Sequence, residues 1–272
     1  MNRVCIAVLL LTATCASARA ADHWNLEEGL PVTIEDAFPI QQNGIEFQFF
    51  SQYDRTHRDP DGKNRATLTP RLEWGAAPNL QLSLGTPYRL GDASETRQGD
   101  VDIQGLYNFN TEGPVIPAMS LQAGVFQPFG RLAGGTETEI EFLATKSLGS
   151  WDIMGTSPFS YAPRQLHFNA AWFHNYDPRT GLEAERENRY RVGLGYSQPV
   201  SNELVLVADV FRETNRDRTR ADNLAELGVR YMLTPQTVVS GSLGAGFGDD
   251  RESEFRAVLG FQHTLSVPYG MP

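Results

Sequence analysis

From residue 44 onward the chain alternates apolar and polar positions in stretches of roughly ten to twelve residues, the period of a β-strand whose two faces meet different surroundings. Ile45, Phe47, Phe49 and Tyr53 alternate with Glu46, Gln48 and Gln52; Val101, Ile103, Tyr107 and Phe109 alternate with Asp100, Asp102, Gln104 and Asn108. This reading predicts strands over 44–54, 65–75, 79–89, 99–109, 118–127, 136–147, 165–176, 188–198, 203–213, 223–233, 237–247 and 254–265. Long connections fall near 54–64, 90–98, 128–135, 177–187, 214–222 and 248–253. Short ones fall near 76–78, 199–202 and 234–236, with longer ones at 110–117 and 148–164, the last with room for a short helix or a plug-like turn.

An even strand count with alternately long and short connections predicts a closed antiparallel transmembrane β-barrel of about 12 strands, both termini on the short-turn, periplasmic side. Backbone groups in hydrocarbon find no water, so a sheet crosses a bilayer only when it closes on itself. Apolar side chains then face lipid and polar ones face inward. A soluble sandwich alternates too, with its apolar face inside. What favours the barrel is a set of aromatics on the apolar face near strand ends, suited to a headgroup belt: Trp74, Tyr88, Phe109, Phe126, Trp172, Tyr176, Tyr190, Tyr196, Tyr231 and Phe247. Pro70, inside the second strand, predicts a bulge or distortion there. The chain runs on past Leu265 to Pro272 without a terminal aromatic, which predicts a C-terminal assembly signal that is either weak or displaced to Phe261 or Leu265.

The N-terminus fixes the compartment. Arg3, the apolar run Val4–Leu11 and the small-x-small site Ala18-Arg19-Ala20 read as a signal peptide over residues 1–20. Residues 21–42, polar and carrying Pro31 and Pro39, read as a periplasmic lead-in, and 43–272 as the barrel. Cys5 and Cys15 both lie in the signal, so the mature chain is left without thiol or disulfide chemistry. Cleavage leaves 21 basic against 33 acidic residues, a net charge of −12 that argues against nucleic acid as a partner. The expected partners are outer-membrane lipid, lipopolysaccharide, a small-molecule solute and, during biogenesis, the barrel-assembly machinery; no cofactor is expected.

Several local sequences carry a resemblance: Leu30-Pro31 and Ile34-Glu35-Asp36-Ala37-Phe38-Pro39, then Leu68-Thr69-Pro70-Arg71-Leu72-Glu73-Trp74-Gly75, Ala77-Pro78-Asn79-Leu80-Gln81-Leu82 and Gly99-Asp100-Val101-Asp102. The chain resembles the proteobacterial outer-membrane barrels named for the meta-pathway of phenol degradation. That resemblance implies passage of small, hydrophobic or aromatic compounds. It brings no catalytic or binding residues with it.

Assigning the polar phase of each strand to the lumen names candidate lining residues. Asp100, Asp102, Glu137, Glu139 and Glu141 form an acidic wall, with Arg189 and Arg191 on another wall and Arg65 and Arg71 contributed by the second strand. Glu226, Arg230, Glu254 and Arg256 complete the set. Opposed walls would set a transverse field across a constriction. The same residues could instead form an Arg–carboxylate network that braces a closed barrel.

Enzyme chemistry finds little support. Asp100-x-Asp102 has the paired aspartates of an outer-membrane protease, but the chain has no Asp-x-His to serve as its base. His263 and Ser266 sit three apart on opposite strand faces, unsuited to proton transfer. His23, His57, His167 and His174 lack metal-ligand spacing, and Asp59-Pro60-Asp61-Gly62 reads as a charged turn. The expectation is therefore a non-enzymatic outer-membrane barrel for passive passage of small solutes. The competing reading is a non-conducting structural or adhesion barrel with a salt-bridged interior.

Overall fold

The computed structural model describes residues 24–57, 62–93, 96–130, 134–149, 163–180, 184–216 and 220–265. The expected signal peptide over residues 1–20, most of 148–164, Asp59–Asp61 and the tail beyond Leu265 lie outside the described residues. The strands are β1 (Ile45–Thr56), β2 (Asn64–Ala77), β3 (Leu80–Gly85), β4 (Tyr88–Gly91), β5 (Gln98–Asn110), β6 (Ala118–Gly130) and β7 (Glu137–Ser147). They continue with β8 (Gln165–Asn175), β9 (Asn188–Pro199), β10 (Leu204–Thr214), β11 (Ala221–Thr234), β12 (Thr237–Gly246) and β13 (Ser253–Leu265).

Apart from β3 and β4, each strand pairs antiparallel with its neighbours in sequence, and β1 pairs with both β2 and β13, from Ile45 opposite Leu265 to Tyr53 opposite Ala257. The sheet is therefore closed, without a free edge. Strands β3 and β4 both lie between β2 and β5 and share one place in the wall, so the barrel has 12 staves. Its polarity is inverted relative to a soluble barrel. Ile103, Leu194, Leu227, Leu243 and Leu259 point outward and are more than half exposed, while Gln48, Glu73, Glu137, Glu141 and Arg230 are buried inside. Apolar residues on the exposed face and charges in the interior identify lipid as the outer solvent.

The expected third strand over 79–89 is interrupted at Thr86–Pro87. Across the gap lies Pro70, and here the structure corrects the expected distortion of the second strand. The β1–β2 register runs unshifted through Phe49 opposite Pro70. Pro70 O accepts from Thr86 N at 3.1 Å, so the side of Pro70 that lacks an N–H faces the break between β3 and β4. The missing donor is accommodated in the neighbouring stave.

The larger correction concerns residues 24–43. Expected as a periplasmic lead-in, this segment instead enters the barrel and packs against its inner wall. All four buried hydrophobic clusters among the described residues contain one of its side chains. Leu26 and Val32 meet Val205 and Val207; Leu30 meets Phe50 and Val258; Ile34 meets Phe211 and Leu224; Ala37 meets Leu106, Ala118 and Leu143. The core of this protein is thus the seam between the N-terminal segment and the wall.

Candidate functional site: a charged lumen closed by the N-terminal segment

Backbone groups of a non-helical segment inside a barrel need partners, and the inward phase of the wall supplies them. Asp209 Oδ2 accepts from Thr33 N at 2.9 Å and Ile34 N at 3.0 Å, and Glu226 Oε2 accepts from Thr33 N and Oγ1. Asn169 grips Glu35 twice: Oδ1 accepts its N–H at 2.8 Å and Nδ2 donates to its carbonyl at 3.0 Å. Thr145 Oγ1 accepts from Ala37 N, while Asn108 and Ser120 donate to Ala37 O. Arg230 Nη1 donates to Leu30 O and Ser242 Oγ to Pro31 O, both at 2.6 Å. The contacts come from β5 through β12, so the segment curls around the lumen. Its last turn, where Asn43 N donates to Gly75 O, sits at the short-turn end.

Toward the long-loop end the lumen opens into a cavity of about 290 Å³, with Glu28, Gly29 and Thr33 of the segment among its lining. The walls are a lattice of ion pairs. Arg191 reaches Glu28, Glu141 (2.8 Å), Glu139 (3.4 Å) and Glu213 (3.6 Å). Arg189 pairs with Glu137 and Glu213 and lies over the Phe173 ring, 3.7 Å from its centroid. Arg256 binds Asp54 (2.7 Å) and Asp222 (2.8 Å), and Arg65 binds Asp54 and Glu252. Asp100 is held between Arg89 and Arg216. Burial works against an ionised Glu28, but Arg191 and Arg71 outweigh it and hold its carboxyl below the ordinary glutamate range.

The structure therefore brings together Asp100, Asp102, Glu137, Glu139, Glu141, Arg189, Arg191, Arg65, Arg71 and Arg256 around this cavity or directly behind it. The expected separation into acidic and basic walls is absent: each arginine lies among carboxylates, which shortens the field to a few ångströms. Arg230 and Glu226 face inward but serve the segment. Glu254 departs from expectation. A register irregularity at Arg55/Thr56 pairs Thr56 with Ser253 and leaves Glu254 beside Arg55 and His57, away from the cavity lining. Ser253, bonded to Asp54 and Asp222, and Glu252, paired with Arg65 and Arg220, face the interior at this level. Phe126, placed with the outer aromatics by its position in the chain, lies in the inward phase and approaches Phe173 at 6.3 Å.

Missed altogether were Asp209, Asn169, Asn108, Ser120, Thr145 and Ser242, the residues that hold the segment. One signal for them exists. Phe50, Leu106, Leu143, Val205, Val207, Phe211 and Val258 are apolar residues in the polar phase, and a water-filled lumen gives no reason for them.

These features define a transmembrane β-barrel of the bacterial outer membrane whose polar lumen holds its own N-terminal segment. Residues 65–258 match the family described as "Putative MetA-pathway of phenol degradation", and the chain belongs to that family. Its fold is similar to that of the COG4313 outer membrane channel from Pseudomonas putida F1, with a TM-score of 0.60 at 12% identity, covering 85% of this chain and 98% of that one. It is also similar to KdgM porin (TM-score 0.52, 8% identity, 81% and 99% covered) and to NanC porin (TM-score 0.52, 10% identity, 82% and 100% covered). No curated protein matches the sequence.

Proposed function

We propose that this barrel passes small solutes across the outer membrane, with the N-terminal segment as a displaceable closure rather than a fixed filling. The observation that carries the reading is the cavity of about 290 Å³ whose lining includes Glu28, Gly29 and Thr33 of the segment. A barrel built only as a brace has no need of a chamber facing the long loops, whereas a solute path interrupted by a segment has both a chamber and a stop. Phe50, Phe126 and Phe173 in the chamber lining, two of them beneath arginine guanidinium groups, suit a small aromatic solute. Membership of a family named for phenol degradation supports that class.

The test is single-channel conductance of refolded residues 21–272 in a planar bilayer, beside a variant lacking residues 21–42. Heat-modifiable gel migration confirms folding of both beforehand. The reading expects small or rare steps from the mature chain, large steady ones from the truncated variant, and a concentration-dependent block of the current by a small aromatic such as phenol. A folded truncated barrel without conductance would support the braced, non-conducting reading, which the ion-pair lattice favours.

A further inference from the structure

Near the short-turn end, Glu27 of the N-terminal segment meets Glu46 of β1 and Glu73 of β2. One carboxylate oxygen from each lies within 4.8 Å of the others, and all three side chains are buried. Glu46 and Glu73 are also direct cross-strand partners, an arrangement that like charges oppose. A network of donors does not explain the cluster. Glu46 is well served, by Gln48 Nε2 at 3.0 Å, by Gln262 Nε2 and by Thr264 Oγ1. Glu27 Oε1, Glu73 Oε2 and Gln48 Oε1 are buried without any donor, and these residues are 2%, 1% and 0% exposed. Among the cationic neighbours, Arg71 approaches Glu73 only at 3.9 Å and turns to Glu28, and Arg230 donates to Leu30 O and Gln262 Oε1.

The geometry points to a hard divalent cation of the calcium class, bound by Glu27, Glu46 and Glu73, next to Gln48 whose Nε2 bonds Glu46, that fastens the N-terminal segment to β1 and β2. Oxygen-only ligands and more than one carboxylate are what Ca²⁺ selects, at ~2.3–2.6 Å, so opposite ligands of one ion stand about 5 Å apart and the cluster spans no more than that. Buried acceptors that lack hydrogen-bond donors are the oxygens such an ion would take up. The site goes beyond solute passage and does not depend on which solute passes.

Calcium titration by calorimetry on the refolded mature chain, in detergent free of lipopolysaccharide, tests it. Glu27→Gln lies outside the strands and leaves the barrel pairing untouched; Glu73→Gln probes the wall; Glu112→Gln, at a distant turn, is the control for adventitious surface binding. The expected result is one site per chain, weakened at least 10-fold in Glu27→Gln and in Glu73→Gln and unchanged in Glu112→Gln. Chelation should raise the conductance of the mature chain and leave that of Glu27→Gln as it was. A wild-type protein that binds no calcium, or a Glu27→Gln variant that binds as the wild type does, overturns the site. Binding without any effect of chelation on conductance overturns the fastening role. Failure here leaves solute passage standing, because the truncated barrel tests that separately.

Discussion

Closure of the lumen depends on how tightly Ile34 fits the wall, and one substitution isolates that fit. Ile34 is fully buried and lies against Gly193 and Gly195 of β9. A Cβ at Gly195 would stand 2.8 Å from Ile34 Cγ2 and 3.2 Å from Ile34 Cβ, whereas the nearest wall atom, His167 Cβ, is 3.4 Å away. Gly195→Ala therefore presses on the segment and spares the wall. Gly193→Ala is a poorer probe, since its Cβ would also meet Phe211 Cβ at 2.8 Å and Val210 O at 3.1 Å. The atoms struck by the Gly195 methyl are close to the segment backbone, so rotation of a side-chain tip does not relieve them. Overpacking of this kind costs about 1–3 kcal/mol. Set against the closed state alone, that raises the ratio of open to closed lumen by about 5-fold to about 150-fold, at ~1.4 kcal/mol per decade. The assay is open probability in planar bilayers, with heat-modifiable migration showing that the variant is folded. Adding Gly195→Ala to Ile34→Ala should have a smaller effect, because Ile34→Ala removes the Cγ2 at 2.8 Å and leaves only the Cβ at 3.2 Å. A folded Gly195→Ala barrel with wild-type open probability would refute the reasoning, and so would an equal gain in the Ile34→Ala background.

Two further outcomes follow from the charges. Arg191→Met leaves Glu28, Glu139, Glu141 and Glu213 without their common cation, and breaking a buried ion pair of this kind costs about 3–5 kcal/mol. The unfolding temperature in the heat-modifiability assay should fall and the reversal potential move toward cation selectivity, further still when Arg189 is neutralised as well; wild-type values of both would remove the bracing role. At the turn between β5 and β6, burial opposes ionisation of Glu112, but Lys146 and Ser147 bond its carboxylate and hold it below the ordinary value of 4.5. A depressed carboxylate contributes its stability above the unfolded value and loses it as pH falls through the folded one, so protection of the Ser147 amide against hydrogen exchange should persist at pH 5 and disappear below that range. Protection that is the same in Glu112→Gln as in the wild type would show that the turn is held by something else.

The barrel was legible in the sequence because a wall between lipid and a polar lumen imposes a strict period of two, and eleven of the expected strands each overlap one observed strand. The remaining one, over 79–89, was read as continuous because Leu80, Leu82, Leu84 and Tyr88 keep the period while Pro87 breaks the pairing. Glu254 was misplaced for a related reason. A single extra residue in a strand reverses the face of everything beyond it, and the irregularity near Thr56 leaves no mark in the hydropathy. The N-terminal segment was harder to read. Its polar, proline-bearing sequence matches a linker, and its place inside the barrel depends on side chains more than a hundred positions away, among them Thr145, Asn169 and Asp209. Asparagine, threonine and aspartate in the inward phase look alike whether they meet water or a peptide backbone.

The reach of those contacts bears on the order in which the molecule can be made. Pro31 bonds Ser242 across 211 residues and Leu30 bonds Arg230 across 200, so a segment that precedes every strand is anchored by strands that are synthesised late. The first hairpins cannot hold the segment by themselves, since its sockets on β10, β11 and β12 do not yet exist. Docking of the whole segment must therefore await β10, β11 and β12. The segment nearest the N-terminus is in this way among the last parts of the barrel to find all its partners.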